Sequence, residues 1–103
     1  MTDDELRVAI AEACPTVKYR MELYGEDPLE DLNAMHEAVT SRKDVPGFMK
    51  KYNHMLAVAC VVSGSRVRNS AEEFKIVNAT ARQRAEAFGR TLWPEKFISY
   101  VKP

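Results

Sequence analysis

Proline stands at positions 15, 28, 46 and 94, and this punctuation constrains the fold more than any other feature of the chain. A proline inside a helix removes a backbone hydrogen bond and clashes with the preceding turn. It also turns the residue before it away from helical geometry. The chain is thereby cut into short segments, and each must be a separate element with its own start and stop.

The segments carry their own signals. Thr2, Asp3, Asp4 and Glu5 have the form of a capping box, in which threonine accepts from a free backbone N–H and the glutamate reaches back. Leu6, Ala9, Ile10 and Ala13 follow on one helical face, and Pro15 stops this helix near Cys14. Between Pro15 and Gly25, the residues Val17, Tyr19, Met21 and Leu23 alternate with Lys18, Arg20 and Glu22. That period of two predicts a strand over residues 17–23. Asp27 and Pro28 predict a second helix, with Asp27 as cap and Pro28 in the first helical position. Its apolar stripe is Leu29, Leu32, Met35, His36 and Val39.

After a polar break at residues 41–46, Pro46 and Gly47 begin a third helix. Phe48, Tyr52, Met55, Ala59 and Val62 make its stripe, Leu56 and Cys60 widen it, and Ser63, Gly64 and Ser65 end it. Residues 74–77 read as a second short strand. Asn78 or Thr80 caps a last helix with a seam of Ala81, Ala85, Phe88 and Leu92. Arg82, Glu86 and Arg90 face away from that seam, and the spacing of Arg82 and Glu86 predicts a pair. Trp93 and Pro94 close the helix, and the apolar tail at residues 97–101 offers a further strand or a flap. The expected fold class is α+β: about four helices packed with a small antiparallel sheet, helix-dominated, in a single domain over residues 1–103.

Apolar residues make up 46% and charged residues 29% of the 103 positions, a globular balance that excludes disorder and permits one core. No segment reaches the roughly 20 continuous apolar residues of a membrane span. The acidic start at Asp3, Asp4 and Glu5 is the reverse of a secretory signal. A soluble protein of the cell interior is expected, with Cys14 and Cys60 as reduced, small hydrophobic residues.

The zero net charge hides a division. Residues 1–39 carry ten acidic and three basic side chains, whereas residues 40–103 carry five acidic and twelve basic ones. Either the halves neutralise each other by packing, or the basic half serves an acidic partner. Arg66, Arg68, Lys75, Arg82, Arg84 and Arg90 are the candidates for a phosphate-binding face, with Tyr19, Phe97 or Tyr100 to stack on bases. A pI near 6.7 falls well short of domains that bind DNA unaided.

Other chemistry finds little purchase. Cys14, His36, His54 and Cys60 are scattered, without the spacing a metal site needs, so no metal and no cofactor are expected. Asp3 with Asp4 and Glu72 with Glu73 are sequence neighbours that diverge by about 100° on a helix. No Gly-x-Ser-x-Gly elbow or glycine-rich phosphate loop is present. His36, with Asp31, Asn33 and Glu37 nearby, is the one candidate base, and the alternative for it is a hydrogen-bonded histidine at the core's edge. His54 lies off its helix's stripe, toward solvent.

Two stretches carry a resemblance. Asp31-Leu32-Asn33-Ala34-Met35-His36-Glu37-Ala38 and Ala79-Thr80-Ala81-Arg82-Gln83-Arg84-Ala85-Glu86-Ala87-Phe88 resemble the phage ABA-sandwich domain, a family of small phage and prophage proteins. The likeness extends over residues 2–14, 31–38 and 78–92, about a third of the chain. It implies helices layered about a small sheet and the cytoplasm of a host bacterium, and it supplies no catalytic residue. Two departures stand out: Gly89 replaces a larger apolar residue, and the Trp93-Pro94 tail is longer.

The reading is therefore a non-enzymatic phage or prophage accessory protein. It acts by binding a host or phage protein, for example by blocking a host defence complex, and self-association is compatible with it. The alternative is a nucleic-acid binder using Arg66, Arg68, Arg82, Arg84 and Arg90; a small enzyme using His36 comes third.

Overall fold

Thr2 does cap the first helix. In the computed structural model, which describes residues 1–60 and 70–97, the Glu5 N–H donates to Thr2 Oγ1 at 3.2 Å and the Thr2 N–H donates to Glu5 Oε1 at 2.9 Å. Helix α1 (Asp3–Ala13) buries Leu6 and Ile10 and ends at Cys14. The same proline that stops α1 starts the next helix, because its fixed φ suits a first helical position.

That next element is the main correction. Residues 17–23 are not a strand; they lie inside helix α2 (Pro15–Tyr24). Among the described residues there is no strand at all, so the expected α+β class and the antiparallel sheet give way to an all-helical fold. Positions two apart lie about 200° apart on a helix, so seven alternating residues also make two i, i+4 pairs on opposite faces. Val17 is fully buried and Met21 half-buried, while Tyr19 and Leu23 are 57% and 58% exposed. A half-buried strand would hide all four. Lys, Arg, Met, Glu and Leu are all good helix formers. Gly25, at φ +67°, ends α2 with its N–H on the carbonyls of Arg20 and Met21, a left-handed cap that suits glycine.

The second expected helix begins later than Asp27 and Pro28 suggest. Asp27 instead holds a turn by accepting from the Leu29 N–H at 2.9 Å. Helix α3 (Leu32–Thr40) is capped by Asp31, which accepts from the Asn33 and Ala34 N–H groups. Its buried face is Ala34, Met35 and Ala38, rotated from the expected stripe. Leu32 and His36 are therefore exposed, and His36 is not a core-edge residue.

Helix α4 (Phe48–Ala59) starts after Gly47 and buries Phe48, Tyr52, Leu56 and Ala57; Cys60 follows, also buried. The helix stop at residues 63–65 lies outside the described residues. The second expected strand, residues 74–77, is the end of helix α5 (Ser70–Val77). Phe74 and Val77 on it are 69% and 70% exposed. Helix α6 (Ala81–Leu92) opens on a second capping box, Thr80 with Gln83. A 3₁₀ turn (Pro94–Lys96) follows. The tail places Phe97 in the core, and its remainder at residues 98–101 lies outside the described residues.

Phe88, fully buried, is the hub. Its ring meets Phe48 at 5.9 Å and Trp93 at 6.2 Å, both edge-on, and Phe48 stacks on Tyr52 at 5.8 Å. Burying such a side chain contributes about 1.5–3 kcal/mol. Gly89 explains itself here: a Cβ at that position would lie 2.7 Å from Phe97 Cζ and 2.9 Å from Leu6 Cδ1. The space beside Gly89 is filled by the rings and methyls of Phe97 and Leu6. Cys14 and Cys60 are both buried free thiols, and burial pushes the Cys60 thiol up, away from the reactive thiolate.

Candidate interaction surface

Among the described residues lies an open groove of about 770 Å³. Helix α3 forms one wall with Leu32, Met35, His36 and Val39, and α4 forms the other with Met49, Tyr52 and Leu56. Ile76 and Val77 of α5 and Arg84 of α6 close one end, and Lys43, from the turn between α3 and α4, also lines it. Packing against the neighbouring helices turns Met35 of α3 inward and leaves Leu32 and His36 at the edge of the groove.

His36 is exposed, and no described residue hydrogen-bonds its ring. The Tyr52 hydroxyl is buried and makes no well-aligned hydrogen bond to a described residue, although the Arg84 guanidinium lies near it. Burial raises the Tyr52 pKa, and the nearby positive charge of Arg84 only partly opposes that. Arg84 donates to the carbonyl of Ala79 at 3.1 Å and to that of Val77 at 3.1 Å. Its guanidinium thus serves the carbonyl end of α5, where cations are favourable. Among the described residues no group of three or more His, Cys, Asp or Glu side chains is placed to hold a metal ion, and no helix is long and apolar enough to cross a membrane.

Charge sorts itself around Leu32. The described residues of the groove lining include Lys43, Arg84 and His36 and no carboxylate. On the far side of Leu32, a shallower hollow of about 570 Å³ is lined by Tyr24, Glu26, Asp27, Glu30 and Asp31 and has no basic side chain. Three of these acids are engaged. Glu26 accepts from Arg20 at 3.2 Å, Asp27 accepts from Arg7 at 3.0 Å, and Asp31 caps α3. Burial alone would raise the Asp27 pKa, but Arg7 and the Leu29 N–H together hold it below its ordinary value.

The arginines singled out in the sequence do not form one basic face. Arg66 and Arg68 lie outside the described residues. Arg82 pairs with Asp3 at 2.7 Å, joining the basic half to the acidic one. Arg90 takes Glu86 at 2.9 Å, the partner expected for Arg82, and lies 5.1 Å from the centre of the Phe97 ring. Arg82 and Arg90 thus border a small hollow shared with α1, whereas Arg84 borders the groove. Sequence reasoning missed Lys43, Met49 and Val77 as surface-forming residues. The only available signal was their position on or next to the predicted elements, which does not set facing. No family model, curated protein or solved structure matches this chain.

Proposed function

We propose that this protein is a non-catalytic binding domain that receives a protein segment in the groove between α3 and α4. The observation that carries the reading is an apolar groove whose rim leaves Leu32 and Val77 51% and 70% exposed. Large apolar side chains gathered at a concave site mark interaction surfaces, and each contributes about 1.5–3 kcal/mol when a partner covers it. An amphipathic helix is the occupant that such grooves commonly take. The phage resemblance of residues 31–38 and 79–88 supports a setting in the cytoplasm of a host bacterium, with a host or phage protein as partner. Inhibition of a host defence complex is one form of this function.

Affinity capture from a bacterial host lysate, with the wild-type chain beside Leu32→Glu/Val77→Glu, tests the reading. Both positions are exposed, so the variant keeps its helical circular dichroism. A stoichiometric partner retained by the wild type and lost by the variant supports the groove; equal capture by both removes it. The nucleic-acid alternative finds less support, because Arg82, Arg84 and Arg90 are divided between two sites and all three are engaged. A mobility shift at low salt that fades steeply as salt rises, and is lost in Arg82→Glu/Arg90→Glu, would restore it. The enzyme reading through His36 has only an exposed imidazole without a described partner.

A further inference from the structure

We propose that two copies of this chain pair about a two-fold axis along Leu32, each setting its Glu30 against Lys43 at the other's groove. The proposal rests on the reading of the groove as a protein-binding surface and names its occupant as a second copy.

Leu32 and Asn33 border both the groove and the acidic hollow. The two regions therefore lie on either side of one ridge. A two-fold axis lying in the interface along that ridge exchanges left for right. The hollow of each copy then faces the groove of the other, and the contact is made twice. Opposite charges meet in this arrangement and in no sliding of like on like. Glu26, Asp27 and Asp31 are engaged within the chain, as is Arg84, which leaves Glu30 of the hollow and Lys43 of the groove as the charges to be matched.

The side chains left over identify the contact. Glu30 is exposed, and no described residue pairs with it, unlike its three acidic neighbours. Lys43 is likewise exposed and without a described ion-pair partner. They stand on opposite sides of the ridge, as the two ends of an intermolecular ion pair must. Leu32, 51% exposed, lies on the axis and meets its own counterpart. Tyr24, 67% exposed beside the hollow, is the large apolar side chain that the acidic edge presents to the groove. Such a contact is closed, so assembly stops at two copies.

Sedimentation velocity of the full chain over about a hundredfold range of concentration tests this by mass action. The expected result is a shift toward twice the 11.7 kDa chain mass. Lys43→Glu and Glu30→Lys should each weaken association at least about tenfold, because each places like charges together twice. An equimolar mixture of the two variants should restore it, since both cross-contacts are then attractive. Leu32→Cys should form an intermolecular disulfide under mild oxidation. A monomer at every concentration overturns the proposal, as does a dimer indifferent to these substitutions or a mixture no more associated than its parts. A monomer that still captures a host protein through Leu32 and Val77 overturns self-pairing and leaves the binding reading standing.

Discussion

Helices α6 and α2 are similar in length and are held in different ways. Helix α6 turns a continuous face of Ala81, Ala85, Phe88 and Gly89 into the core. Helix α2 buries only Val17 fully and leaves Tyr19, Leu23 and Tyr24 in solvent. Val17 and Met21 pack α2 against the core, and ion pairs add to that on this side: Arg20 to Glu26 and Glu37, and Arg7 to Asp27 just beyond its cap. One helix is a structural member fixed by packing. The other is a tethered ridge whose outer apolar face is left over. Partly exposed ion pairs contribute little individually, so the two regions should respond very differently to substitution.

Phe88→Ala should give the largest effect, a loss of about 3–5 kcal/mol in denaturant unfolding, because Phe48 and Trp93 lose their common neighbour. A loss under about 1 kcal/mol would mean that α6 is not the hub and the contrast with α2 is false. Gly89→Leu should cost about 1–3 kcal/mol through overpacking against Phe97 and Leu6, and shortening Phe97 to Ala in the same chain should recover part of it.

Acid should act on the α2 side. Asp27 holds its proton more weakly in the folded chain than in the unfolded one. Its stabilisation is therefore present above the ordinary aspartate range and is lost as pH falls through the lowered folded value. The change is under about 1 kcal/mol for a pair of this exposure. Urea midpoints measured against pH should show it, and Asp27→Asn should flatten that part of the profile. Smallest of all, Tyr19→Ser/Leu23→Ser should leave the unfolding free energy within about 0.5 kcal/mol. A larger loss would show that the outer face of α2 is packed within the protein.

The sequence read well where a local signal and the tertiary demand agreed. Thr2 with Glu5 and Thr80 with Gln83 make their capping boxes, and Ala81, Ala85 and Phe88 enter the core as their spacing requires. It misled where one pattern serves two geometries. Val17, Tyr19, Met21 and Leu23 satisfy a strand as well as two helical faces, and the helix formers among their neighbours were the signal to weigh. The groove was barely legible. Its lining comes from α3, α4, α5 and the turn at Lys43, and which side of each helix meets its neighbours is set by packing rather than by a local signal.

Residues close along the chain settle the start of α1 and of α6: the capping boxes of Thr2 with Glu5 and of Thr80 with Gln83 act over four positions and need no distant partner. The separation of charge was equally present in the bare chain. Only the packed structure decided that α2 is a helix with an idle apolar side, that Phe97 occupies the room beside Gly89, and that an acidic edge and a cationic groove share one ridge. Those outcomes depend on how helices rotate to bury one face against another, and a helix's rotation is fixed by its neighbours rather than by its own residues.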